Sequence, residues 1–356
     1  MKKLLSLVAV IMAAAMLAGC GEGASGSEAA TSSDASVTTE ATQPESTEAP
    51  SSEESSEAQV SFKLSDTLNI GVLKGPTGIG MAALFDRADE GYNMQLFDSP
   101  DQVTAKLISG ELDIAAVPSN LGAVLYNTTE GEIRALSVVC GSTLYLVSTT
   151  GEEIKDIKDL AGKTIYASGK GGVPEYVLSY ILASYELNDV KVEWLASHAD
   201  AMSTMLTAEG GAIAMLPEPN VTVAKSKSEK AAVVLDLGEK WEELSSGKLP
   251  MGILVVNKNV AETRQDDVKT FLEAGAWSTE QVVSGAEGIY ERIAELGIVP
   301  AAPIAKAVVP SCDIMFVSGA EKVSGMLNGF YTILRDFNPD SVGRNIPSED
   351  YYADFE

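Results

Sequence analysis

Residues 68–78 read LNIGVLKGPTG, residues 112–120 read LDIAAVPSN, and residues 163–174 read KTIYASGKGGVP. Each begins as an apolar run of strand length and stops at small or turn-forming residues. Helical periodicity follows. Met81, Leu84, Phe85 and Ala88 share one face after the first run, and Val177, Leu178, Ile181, Leu182 and Tyr185 share one after the third. Strands that alternate with helices imply crossover connections, and so a mainly parallel sheet covered on both faces. The theme runs through twice, so the expected fold is α/β with two lobes, each a mainly parallel sheet flanked by helices.

Between these stretches the alternation continues. Tyr92–Phe97 reads as a strand, and Ser99-Pro100-Asp101-Gln102 as a helix start with Ser99 at the N-cap, Pro100 at the first helical position and Gln102 completing a capping box. Further strands are expected at 133–139, 143–148, 190–195 and 211–216, and Ser197 with Asp200 should cap a helix that buries Met202, Met205 and Leu206. Lys248–Val256 looks like a return strand, followed by helices over 266–283, 285–296 and 319–336 and an irregular close at 338–352. The economical division is a first lobe of residues 66–145 and 250–356, with residues 146–249 inserted as a second lobe.

The chain opens MKKLLSLVAVIMAAAMLAGC. Lys2 and Lys3 supply a positive start, and Leu4–Leu17 is apolar but too short to span a bilayer. Leu17-Ala18-Gly19-Cys20 resembles the lipobox of bacterial lipoproteins. That resemblance implies cleavage of the 1–20 leader before Cys20, lipid on Cys20, and a place on the extracytoplasmic face of the cell membrane. Residues 21–65 are Ser, Thr, Glu, Ala, Gly and Pro almost throughout, too poor in apolar side chains to offset ordering entropy, so a disordered acidic tether is expected. As a random coil it would reach roughly 35–40 Å, from about 5–6 Å × √n.

The formal charge is −26, and it stays strongly negative without residues 1–65, which hold nine acidic and three basic side chains. Such acidity argues against nucleic acid and against docking on an anionic lipid surface. With Cys20 lipidated, Cys140 and Cys312 are the other cysteines; they either pair or stay as free buried thiols. His198 is the one histidine, which excludes a multi-histidine metal site, and no metal or cofactor is expected.

Ligands of open α/β sheets sit beyond the carboxyl ends of the strands, where helix N-termini present unpaired N–H groups. Four loops hold such positions. The ligand-binding candidates are Lys74, Pro76, Thr77 and Gly78 in the first loop and Ser119 and Asn120 in the second; Lys170, Gly171, Gly172 and Val173 stand in the third and Glu218 in the fourth. Each has a plainer reading. Gly75–Gly78 also fits a tight turn, Ser119 and Asn120 fit helix caps, and Glu218 fits a first-turn acid complementing a helix dipole. His198 follows a cap and reads as a solvated loop residue rather than a base. Catalytic templates fail: there is no GxxxxGK[ST] or GxSxG, and Pro174 stands where a dinucleotide loop needs its last glycine.

Gly75–Met81 (GPTGIGM), Gly110–Ala115 (GELDIA) and Asp159–Ile165 (DLAGKTI) together resemble the substrate-binding proteins of ABC transporters. Gly169–Glu175 (GKGGVPE), Leu216–Pro219 (LPEP) and the ending Ser341–Tyr352 are similar to the nitrate/sulfonate/taurine-type group of the type 2 periplasmic-binding-protein fold. The ending departs from that group's usual Gly-Gly at Gly343-Arg344-Asn345, and no pattern selects one ligand. Across residues 66–356 the resemblance implies a monomeric clamshell with no catalytic residues. A small molecule would bind between its lobes, with a hinge near Thr143–Ser148 and Leu249–Val256. The closed form would dock on an ABC permease driven by its ATPase. A surface lipoprotein that senses a ligand is the first alternative. An enzyme of the pyrimidine-precursor synthase type is the second, and it would need histidine-rich chemistry that His198 alone cannot supply.

Overall fold

The computed structural model describes residues 60–355. The leader, Cys20 and the tether up to residue 59 lie outside the described residues. The first lobe opens with β1 (Leu68–Leu73), α1 (Pro76–Gly80), β2 (Tyr92–Phe97), α2 (Pro100–Ile108), β3 (Ile114–Pro118), α3 (Ser119–Thr128) and β4 (Ile133–Cys140). The chain then crosses to β5 (Leu144–Ser148), β6 (Thr164–Ala167), α4 (Val173–Ser184), β7 (Lys191–Trp194), α5 (His198–Thr207), β8 (Ile213–Pro217), α6 (Asn220–Lys227), β9 (Ala232–Asp236) and α7 (Leu237–Ser245). It returns through β10 (Gly252–Asn257), α8 (Lys258–Thr263), α9 (Gln265–Ser284), α10 (Ile289–Glu295), α11 (Ala302–Val308), β11 (Ile314–Ser318) and α12 (Ala320–Phe337).

The sheets run β2-β1-β3-β10-β4-β11 and β7-β6-β8-β5-β9. Without the edge strand β11 the two orders match: second strand, first, third, a strand arriving from the other lobe, then fourth. The arriving strands β10 and β5 run antiparallel to their neighbours, as does the edge strand β11 to β4; β1 pairs in parallel with β2 and β3, and β6 with β7 and β8. This is the two-lobed α/β architecture read from the strand–loop–helix repetition. Among the described residues no helix is long and apolar enough to cross a membrane.

Several local expectations give way to tertiary contacts. The helix expected through Met81–Ala88 breaks into α1 and two 3₁₀ turns. Ser278 of α9 donates its hydroxyl to the Gly80 carbonyl (2.9 Å), the acceptor a continuing α-helix would offer to Leu84, and Leu84 N–H turns to Met81 O instead (3.0 Å). The capping box at Ser99 does not close: Ser99 sits at the N-cap without a side-chain bond, and Gln102 takes the Asp98 N–H. Ser197 does cap α5, accepting from Asp200 N–H. Strands β9 and β11 fall at sheet edges, where partial exposure leaves little alternation to read.

Residues 60–65, assigned to the tether from composition, belong to the folded body. Phe62 and Leu64 are buried, and Ser65 gives both its N–H and its hydroxyl to Asp267 (2.7 Å each). The Arg87 guanidinium lies 4.1 Å from the Trp277 ring and 5.3 Å from the Phe62 ring, so a cation held over two aromatic faces pins this segment.

Helix α12 follows the second crossover, yet it covers both lobes. Its Val323, Leu327, Phe330 and Leu334 share one apolar core with Leu178 and Trp241 of the second lobe and with Val138 of β4. The Phe330 and Trp241 rings meet edge-on at 5.6 Å, and Phe337 meets Tyr180 at 6.2 Å.

Candidate functional site

The floor between the lobes is made by the crossover peptides and the loops they touch. Met251 N–H bonds to Cys140 O (3.1 Å), Ser119 N–H to Met251 O (3.1 Å), and Glu218 N–H to Thr143 O (3.0 Å). These bonds tie the ends of β3, β4 and β8 to both crossings. Close packing holds the floor together: a Cβ on Gly252 would lie 2.7 Å from Cys140 Sγ and 2.9 Å from Thr77 Cγ2.

Most candidates in the first two loops serve this floor rather than an open surface. Thr77 is buried with its hydroxyl on Leu73 O, and Gly78 is required because a Cβ would sit 2.6 Å from that same carbonyl oxygen. Pro76 begins α1, and Lys74 is exposed and paired with Asp98 at 2.7 Å. Ser119 is fully buried and donates to Pro250 O (2.5 Å); Asn120 donates to Ser341 O (3.1 Å), holding α3 against the C-terminal segment.

The glycine loop before α4 is exposed at Lys170 and Gly171, while Val173 packs into the core of its lobe. Gly169 and Gly171 take positive φ (87° and 81°), which glycine adopts without a side-chain penalty. Gly172 is the N-cap of α4, and Gly171 N–H already donates to Glu175 Oε2 (2.5 Å). The carboxylate of the helix's own first turn therefore occupies the donor that an anionic ligand would use.

At the end of β6 stands a pair that the sequence did not suggest. Ser168 Oγ lies 2.5 Å from His198 Nδ1, and burial lowers the imidazole pKa to about 4. His198 is thus a partly buried neutral ring bonded across two strand ends, not the solvated loop residue expected. Cys140 and Cys312 are both buried and free; burial pushes the Cys140 thiol up to about 12 and the Cys312 thiol further.

A cavity of about 330 Å³ opens between the lobes beside the crossings. The second lobe supplies Tyr145, Glu218, Val221, Thr222, Lys225 and Val233, and the first lobe supplies Ala307 and Ser311. Of the sequence candidates only Glu218 lines it. Glu218 is 4% exposed, and its two oxygens accept from Thr222 N–H (3.1 Å) and Thr222 Oγ1 (3.0 Å). Burial raises its pKa, and the Thr222 bonds and the Lys225 charge pull the other way. Tyr145 is pushed up to about 12 by burial and by Asp236, Glu218 and Asp313, and its hydroxyl reaches Ser311 O across the lobes at 3.4 Å. Thr222 and Lys225 stand four and seven residues after Glu218, on one face of α6, so that part was legible. Ala307 and Ser311 come from a distant part of the chain and had no local signal.

Residues 81–305 match the family model described as menaquinone biosynthesis, more than half of the chain. The chain belongs to the menaquinone biosynthesis family. No curated protein matches it in sequence. Among solved structures, an ABC transporter protein from Parabacteroides distasonis is 23% identical with a TM-score of 0.69, covering 80% of this chain and 98% of that one. The periplasmic aliphatic sulphonate binding protein SsuA from Escherichia coli is 17% identical, with a TM-score of 0.66 over 81% of this chain and 92% of its own. A Candida albicans gene product described as having the generic periplasmic binding protein structural fold is 15% identical, with a TM-score of 0.53 over 80% and 93%. Members of the menaquinone biosynthesis family and these binding proteins meet in one architecture: this chain has the periplasmic-binding-protein fold.

Proposed function

We propose that this chain is an extracytoplasmic solute-binding lipoprotein that captures a small molecule between its lobes and delivers it to an ABC-type permease with its ATPase. The observation that carries the reading is the interlobe cavity, because its wall is completed only when α6 of one lobe faces Ala307 and Ser311 of the other. A ligand that touches both lobes stabilises their closed arrangement, and closure is what a permease can read. The division into a 66–145 and 250–356 lobe and a 146–249 lobe belongs to this reading, with the crossings as hinge. So do a monomeric state, lipid on Cys20 and a tether that keeps the body near its membrane partner. Resemblance to transport binding proteins and the lipobox both support it.

The family match favours a second reading, an enzyme acting in menaquinone biosynthesis, and the Ser168–His198 pair is where a proton could be held. One experiment separates the two. A thermal-shift screen of the full chain against sulfonates, nitrate, pyrimidines, vitamins and amino acids should find a stabilising solute; at 100 times its dissociation constant it adds about 2.7 kcal/mol. Mass spectrometry should recover that solute unchanged after prolonged incubation. Conversion to a product would overturn the binding-protein reading in favour of the enzyme. Cys20→Ser should release the protein from the membrane or leave it unprocessed, and unchanged retention would remove the anchor from the account.

A further inference from the structure

The polar end of the interlobe cavity is an acceptor surface. Glu218 presents a carboxylate that is 4% exposed, and Thr222 has committed its hydroxyl proton to it, which leaves the Thr222 oxygen as a further acceptor. Tyr145 Oη and Ser311 O stand opposite at 3.4 Å from each other, a long bond that leaves both oxygens room for a ligand donor. The charged groups around the Tyr145 hydroxyl are Asp236, Glu218 and Asp313. Among the described residues that line the cavity, Lys225 is the one cation, it is exposed, and none is an arginine. The remaining wall is apolar, from Val221, Val233 and Ala307.

A strong-acid anion placed here would meet a desolvated carboxylate without a guanidinium fork to hold it. In the glycine loop the Gly171 N–H, a donor that an anion would use, is already taken by Glu175. We propose that the cavity takes a small solute carrying a protonated amine, which pairs with Glu218 while its carbon skeleton lies against Val221, Val233 and Ala307. This inference rests on the solute-binding reading and assigns the class of solute.

Matched probes test it, because they share a skeleton and differ in charge. The full chain in detergent is titrated calorimetrically with butylamine, 1,4-diaminobutane and benzylamine, and with butanesulfonate and benzenesulfonate. The amines should bind and the sulfonates should not. Glu218→Gln, which keeps an acceptor for Thr222, should weaken amine binding at least tenfold. Lys225→Met, at an exposed position, should tighten it severalfold by removing a competing cation; it stands as the test if the Glu218 variant fails to fold. Amine binding that Lys225→Met weakens, or that Glu218→Gln leaves unchanged, overturns the assignment. Sulfonate binding that Glu218→Gln tightens also overturns it, yet leaves solute capture standing. If neither charge class binds, the amine assignment fails, and the broad solute screen alone decides on capture.

Discussion

Replacing Phe330 by alanine should destabilise both lobes together. Phe330 is 3% exposed on α12, and its ring meets Trp241 of the second lobe edge-on at 5.6 Å and Tyr331 at 5.7 Å. Removing a buried phenylalanine ring costs about 3–5 kcal/mol in lost burial and in the cavity left behind. Of that, about 0.5–1.5 kcal/mol reflects ring-to-ring geometry beyond area. Against a typical total of about 5–15 kcal/mol, the loss is a large fraction of the folding free energy. Because the core around Phe330 draws on α4, α7 and β4 at once, the loss should be felt in both sheets. Urea unfolding followed by circular dichroism should show one transition in wild type and in Phe330→Ala, with the midpoint lowered by on the order of 1 M. Amide exchange resolved by mass spectrometry should show β3 and β8 losing protection in parallel. The reasoning is refuted if Phe330→Ala falls within 1 kcal/mol of wild type. It is equally refuted if β8 opens while β3 keeps its wild-type protection, for then α12 is not a shared element.

Three further outcomes follow from the floor and the strand ends. His198 has a folded pKa near 4 and an ordinary unfolded value near 6.5, so its contribution is intact above pH 6.5 and fades as pH falls from there towards 4. The loss is up to about 3 kcal/mol, and urea midpoints across that window should fall less steeply for His198→Asn; identical slopes would show that the ring is not desolvated. Gly78→Ala should cost about 1–3 kcal/mol because its Cβ meets the Leu73 carbonyl, whereas Gly171→Ala, open in space but at φ 81°, should cost only about 1–2 kcal/mol of backbone strain. Equal and negligible effects in thermal melts would contradict the packing described. Cys140 and Cys312 should resist an aromatic disulfide reagent at pH 8 until the chain unfolds, since burial holds both thiols protonated; prompt reaction of the folded protein would show them accessible.

Much of the architecture was legible because it rests on periodicity. The runs at 68–73, 112–117 and 163–167 are apolar over strand length, and each is followed by helix-period side chains, so element type and parallel pairing follow from residues close in sequence. Where local signals failed, a distant group had intervened. Ser278 took the Gly80 carbonyl and broke a helix whose apolar face was present, and Asp267 with the Phe62–Arg87–Trp277 stack drew residues 60–65 out of a composition that reads as tether. The strands β9 and β11 escaped notice because an edge strand is partly exposed and shows little alternation.

The sequence by itself determined the alternation of strands and helices and the loops that end the strands, since apolar periodicity is carried by side chains two to four residues apart. It also singled out Glu218 in a loop beyond a strand end, but not Thr222 and Lys225, whose spacing from it was there to be read. Only the tertiary structure decided which loop residues face a cavity. Ser119, Asn120 and Thr77 bond inward at the floor, while Ser311 and Ala307 close the site from nearly a hundred residues beyond Glu218. It also turned His198 from a loop residue into the partner of Ser168. A side chain's role at a site depends on which distant groups satisfy its polar atoms, and that accounting is made only when the chain is folded.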